Sequence, residues 1–165
     1  MSTESRRLAG ILLVLLPTVV AGGASLLAMI DNPAYRANEL RQDLWRAGHA
    51  HAGVLLVLSL AALRYVDETG LGKRARWFAR HSIPSAAILL PMAFFLSVTS
   101  ADATEPNALI SLAYIGAAVL TAGLLTLGVG LMRGPAETES ARGPSWRGAG
   151  RSASRARSRG LRRAP

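Results

Sequence analysis

The stretch "DLWRAGHAHAGVLLVLSLAALRY", Asp43–Tyr65, decides the fold. It opens like a soluble amphipathic helix and ends like a membrane span. Two of the three histidines, His49 and His51, stand at the change. From Ala47 to Val66 the chain is one apolar run, about the 20 residues a helix needs to cross ~30 Å of hydrocarbon. Three more such runs accompany it: Leu8–Ile30, Ser82–Ser100 and Ala108–Met132. None has a charge in its middle. A soluble bundle would need a polar face on every helix, and these runs show almost none. The expected fold is all-α, an integral membrane four-helix up-down bundle over residues 1–133 with a disordered, Arg-rich cytoplasmic tail over 134–165.

Charge sets the expected topology. The net charge of +9 comes from 18 arginines and one lysine among 165 residues. Arg6 and Arg7 precede the first span; Lys73, Arg74, Arg76 and Arg80 separate the second and third; nine arginines lie from Arg133 onward. The two remaining connections hold Arg36, Arg41 and Arg46, accompanied by Asp31, Glu39, Asp43, Asp102 and Glu105. Cytoplasmic loops carry the excess of basic residues, so both termini are expected in the cytoplasm of a bacterium, with the chain in its plasma membrane as a multi-pass protein. A cleaved signal peptide is the competing reading of the first 25 residues. The apolar run continues through Ile30, longer than a signal core needs, which favours a retained helix. The pair Arg6-Arg7 matches half of a twin-arginine signal, and the "LAG" that follows departs from it.

Pro17 interrupts the first span, and Gly22 and Gly23 offer a neighbouring helix close approach. "DNPAYRANELRQDLWR" reads as a short amphipathic helix at the outer headgroups, capped by Asn32 and opened by Pro33, with Trp45 as an interface anchor. The alternative is a water-exposed extension of the second span, since Gly48 permits a bend without requiring one. Pro84 and Pro91 predict a kinked third span, with Ser85, Ser97 and Thr99 available to satisfy loosened carbonyls. The fourth span is rich in small residues, including Gly116, Ala118, Ala122 and Gly123; with Gly53, these are the expected helix-packing positions. Such a face suits the other spans or a second copy of the chain.

The histidines are the candidate chemistry. Two residues apart on a helix, His49 and His51 point about 200° away from each other, so they cannot share one metal. The four-residue spacing of a helical His pair is missing. Gly48, Ala52, Gly53 and Ser59 cluster on the His49 side, which is expected to pack into the bundle; His51 shares its side with Leu55, Leu58, Ala62 and Tyr65. Both are expected in the outer leaflet, and a neutral imidazole is able to ligate metal. His81 belongs to the cytoplasmic edge, so two histidines on one haem would require a dimer. There is no cysteine, and every carboxylate falls in a loop or the tail.

"RAGHAHAGVLLVL", Arg46–Leu58, resembles a motif type of small bacterial membrane proteins in which an H-x-H pair opens a span. It is similar to stretches of hydroxylaminobenzene mutase-like proteins, also four-span, and more distantly of haem-copper oxidase membrane subunits. The resemblance covers about a dozen residues and is carried by His49, His51 and Gly53. The chain has fewer spans and histidines than haem-copper subunits.

The leading expectation is non-enzymatic: a small membrane protein acting by helix packing with itself or a larger membrane partner, without a cofactor. The alternative is a metal, haem or small-ligand protein or membrane-embedded enzyme centred on His49 and His51, with Ser59 and Tyr114 as polar neighbours. The tail suits anionic headgroups. Its single aromatic, Trp146, offers little to nucleic-acid bases.

Overall fold

The computed structural model describes residues 1–134, and the tail expected to be disordered lies outside the described residues. The described chain is all-helical. It runs α1 (Thr3–Met29), α2 (Pro33–Arg36), α3 (Glu39–Val66), α4 (Lys73–Ser97), a 3₁₀ turn (Ala108–Ile110) and α5 (Ser111–Met132). Four of these segments, α1, α3, α4 and α5 with its leading turn, are long and apolar enough to cross a membrane.

The first three helix starts carry side-chain caps. The Ser2 hydroxyl accepts from the Ser5 amide at 3.2 Å and caps α1, with Glu4 in the first turn where the helix dipole favours an acid. Asn32 caps α2, and Pro33 opens it. Asn38 then restarts the chain as α3 by accepting from the Arg41 amide at 2.9 Å. The expected separate amphipathic helix at the outer surface is therefore corrected. One turn, α2, stands apart, and from Glu39 the polar segment continues unbroken into the second span. Gly48 does not break the helix; it lies against Phe94 and Phe95 of α4. The third span is longer too. Its helix begins nine residues before Ser82, because Lys73–His81 is polar but fully helical.

The asparagines also tie down the same end of the fold. The Asn38 side-chain amide donates to the carbonyls of Ala101 (3.0 Å) and Ala103 (2.9 Å), and Asn107 donates to Leu96 at 2.9 Å. These bonds fix the loop between α4 and α5 against the start of α3.

The long helices alternate in direction. Leu12 packs with Leu56 and Leu63, joining α1 to α3. Leu55 meets Ala86, Ala87 and Leu90, and Ala62 and Val66 meet Ala79 and Ile83, joining α3 to α4. In α5 the positions Ala113, Gly116, Leu120, Gly123, Leu127 and Gly130 recur at alternating spacings of three and four, the seam of a left-handed helix pair, and all lie toward α4 or its approach loop. A Cβ on Gly123 would fall 2.0 Å from Ser82 Oγ, so no larger residue fits without moving the helix. The result is a row, α1–α3–α4–α5, with α4 at its centre: 56% of its most apolar stretch is buried, against 6% for α1.

Pro84 and Pro91 are both buried in α4. Of the hydroxyls expected to compensate them, Ser97 bonds the Phe94 carbonyl at 3.2 Å, which neither proline frees.

Candidate functional site

Two polar assemblies stand out, one at each end of the α1–α3 pair. Toward the α2 end, His49 lies about three turns inside α3 and half-buried against α1. A Cβ on Gly23 would lie 2.9 Å from His49 Nε2, and one on Gly22 3.8 Å from Nδ1, so the glycine pair is the notch that receives the imidazole. Among the described residues neither ring nitrogen has a hydrogen-bond partner. Beside the ring is a cleft of about 330 Å³, walled by Leu26, Leu27 and Ile30 of α1, with Arg46 at its edge and Tyr35 above.

Tyr35 is buried and packs on Trp45 at 6.0 Å between ring centroids; Trp45 meets Phe95 edge-on at 6.4 Å, and the Arg41 guanidinium lies 4.3 Å from its ring centre. Trp45 is thus a packing hub between α2, α3 and α4.

His51 turns the other way. It is exposed, its Nδ1–H donates to the Ala47 carbonyl at 2.7 Å, and its ring lies 5.1 Å from that of Phe94. The two histidines do not converge. The face expected to enter the bundle with His49 meets α1, while Leu55 and Ala62, on the His51 side, form the core with α4. Ser59 is fully buried but donates to its own helix at Leu55, 2.7 Å. It stands ten residues beyond His49, ~15 Å along the axis at 1.5 Å per residue. Tyr114 is 77% exposed on α5. Neither approaches the imidazoles. No group of three or more His, Asp or Glu side chains able to hold a metal occurs among the described residues. His81 stacks on Trp77 at 4.7 Å and bonds the Trp77 carbonyl.

Of the packing positions expected from sequence, Gly22, Gly23 and Gly53 face His49 or Val19 across the α1–α3 contact, and Gly116 and Gly123 meet α4. Ala118 and Ala122 are exposed on the far side of α5.

The second assembly was not foreseen. Arg80, only 6% exposed, sits where the start of α1, the end of α3 and the start of α4 meet. Its Nε donates to Ser5 Oγ at 3.0 Å, and its Nη2 to Asp67 Oδ1 at 2.9 Å and Ser2 Oγ at 3.3 Å; Nη1 pairs with Glu4. The Ser2 amide donates to the other Asp67 oxygen. Burial alone would raise the Asp67 carboxyl, but the bonds from the Ser2 amide, the Ser5 and Ser2 hydroxyls and Arg80 outweigh it and hold it below its ordinary value. Arg76 braces the adjoining loop through the carbonyls of Thr69 (3.2 Å) and Leu71 (3.0 Å). The signals are in the sequence: a serine cap with an acid behind it, one Asp closing the second span, and an arginine two residues before the third apolar run.

Compared with protein-family models, curated proteins and solved structures, the chain matches none.

Proposed function

We propose that this chain is a four-span protein of a bacterial plasma membrane, with both termini cytoplasmic, that works by helix packing with itself or a larger membrane partner. The observation that carries the reading is the division of labour on α5. Its glycine face, Gly116, Gly123 and Gly130, is consumed by the α4 side of the fold. A second face of small side chains, Ala117, Ala118, Thr121 and Ala122, stays open. Small residues on an outward helix face permit close approach of another helix, where van der Waals packing drives association in lipid. Lys73, Arg74 and Arg76 gather at the Arg80 end, in keeping with a cytoplasmic placement of that end.

The test is the double variant Ala118→Leu/Ala122→Leu, with mass in detergent measured by light scattering and membrane proteins co-purified from the native host. Loss of a higher assembly that the parent chain forms supports the reading. A parent chain that is monomeric and brings down no partner removes it. Topology is read separately by thiol labelling: the chain lacks cysteine, so a single Cys at Ser100 reports the outside and one at Glu68 the inside.

A second reading, a ligand role for His49, draws on the half-buried imidazole without a partner beside an apolar cleft. A haem band or stoichiometric metal in the purified protein, lost in His49→Ala, would favour it.

A further inference from the structure

A second cleft opens at the Arg80 end of the molecule, between the start of α1 and the start of α4. Its volume is about 400 Å³, within the range of small-ligand sites, and it is lined by Ser2, Glu4, Lys73, Arg76, Trp77 and Arg80. The three cations follow one another on α4 at spacings of three and four, so they are neighbours on one side of the helix and repel one another. Among the described residues only Arg80 has carboxylate partners, Glu4 and Asp67. Lys73 is exposed and forms no ion pair among them. Arg76 spends Nη2 on the neutral carbonyls of Thr69 and Leu71; its Nε is buried without a partner, and its Nη1 bonds nothing among the described residues. The cleft therefore gathers two cations that no acid of the described fold answers, for its one lining carboxylate, Glu4, is already paired.

The surroundings narrow the anion that would complete it. Lys73 opens α4, and Trp77 stands four residues inward, ~6 Å along the axis at 1.5 Å per residue. Trp77 is 60% exposed beside the cleft, as an interfacial tryptophan is at headgroup level. The apolar run begins at Ser82, so along this one helix the order inward is cations, an indole and then membrane-spanning sequence. On the proposed topology the anions at that depth are the phosphodiesters of lipid headgroups, and basic pockets between spans on the cytoplasmic side bind them. We propose that this cleft binds a phosphodiester, supplied by the headgroup of an anionic glycerophospholipid of the cytoplasmic leaflet. The phosphate oxygens accept from Lys73 Nζ and the Arg76 guanidinium, and the glycerol lies against Trp77. Arg76 is the pre-set member, since two loop carbonyls hold its planar fork; Lys73 meets the anion as a point charge on a flexible stem. Two unanswered cations repel the ammonium of a zwitterionic headgroup, which selects an anionic one.

The proposal rests on the membrane-spanning reading with this end cytoplasmic, and the two fail separately. A cysteine at Glu68 that labels from outside ends that reading and leaves the binding measurement unaffected. The site is tested on the full chain by native mass spectrometry, titrating phosphatidylglycerol against phosphatidylethanolamine of the same acyl chains; the Arg-rich tail adds the same background to every variant. Preferential retention of phosphatidylglycerol is expected. Lys73→Gln should lower its affinity about fivefold and Lys73→Arg should keep it, whereas Arg74→Gln, the same loss of charge one residue away and outside the cleft, should change it by less than about twofold. Lys73 and Arg74 are both exposed, and circular dichroism verifies that their variants stay folded. Glycerophosphoglycerol, the same headgroup without its chains, tells the two sources of a phosphodiester apart: competition at the lipid's own concentration assigns the cleft to the free anion and removes the lipid. Equal retention of the two lipids by the parent chain, or equal losses in Lys73→Gln and Arg74→Gln, overturns the site.

Discussion

The two ends of α1 are held by opposite means. At its start, Ser2, Glu4 and Ser5 surround a buried guanidinium that also clasps Asp67, so three helices are joined by directional, charge-assisted bonds. Near its other end, two glycines receive an imidazole with no hydrogen bond at all. Between them α1 buries little of itself and leans on α3 through Leu12. A helix with so small a buried face relies on its ends. The comparison teaches that the first is a fastening which tolerates no missing member, and the second a fit of shapes that tolerates adjustment.

The largest expected effect comes from cutting the fastening. Arg80→Met keeps the aliphatic stem but leaves the partly buried Asp67 without its cation, a loss near the lower end of the range for breaking a buried pair, about 3 kcal/mol. Unfolding in detergent should show it, together with faster proteolysis of the N-terminus. Adding Asp67→Asn should return part of the stability, and a single variant as stable as the parent would break the comparison.

Next is the α4–α5 seam, which serves as a standard for pure shape. Gly123→Val drives a side chain into Ser82 and should cost about 1–3 kcal/mol, the usual range for overpacking, or separate the helices altogether. Ser82→Ala in the same chain should relieve it only in part, because Ser82 Cβ itself lies 2.8 Å from the added carbon.

Gly23→Ala should be milder, near the lower end at about 1 kcal/mol, since the obstacle is a ring that can rotate rather than a backbone. In a His49→Ala background the penalty should vanish. A penalty that persists there would mean that the notch serves the backbone and not the imidazole.

The smallest expected signal is a pH dependence confined to the fastened end. The folded Asp67 carboxyl titrates below its ordinary value of 3.8. Its contribution to stability is therefore complete above that value and fades as the pH falls through the lower folded value. Unfolding followed from pH 6 down to about pH 2 should show this acid loss in the parent and a flatter curve in Asp67→Asn. Identical curves would detach Asp67 from the stability of this end.

Much of the fold was legible because apolar length is a direct physical requirement for crossing a bilayer. All four long helices sit where the runs are. Their limits were less so, for hydropathy reports where a helix is greasy and not where it is a helix. Thus Glu39–Arg46 and Lys73–His81 are helical though polar, and it took the Asn38 cap to show where α3 starts. The candidate site was visible as residues and invisible as a meeting. Gly23 and His49 could each be singled out, but their contact depends on how far one helix slides along another. In the sequence Arg80 stands as topology-setting charge, because its partners lie more than 70 residues away at the chain start and across a loop at Asp67.

That separation has a consequence in time. Ser5 and Arg80 are 75 residues apart. A ribosome adding about 5–20 residues per second needs several seconds to deliver the arginine after the serine has emerged. On the proposed topology the first helix waits through that interval with its start unfastened, although His49 reaches the notch near its other end well before Arg80 is made. The order of synthesis makes the third span the assembly checkpoint of the chain. A nascent protein stalled before Arg80 presents a loose N-terminus to the cell's quality-control proteases, and one that passes it does not.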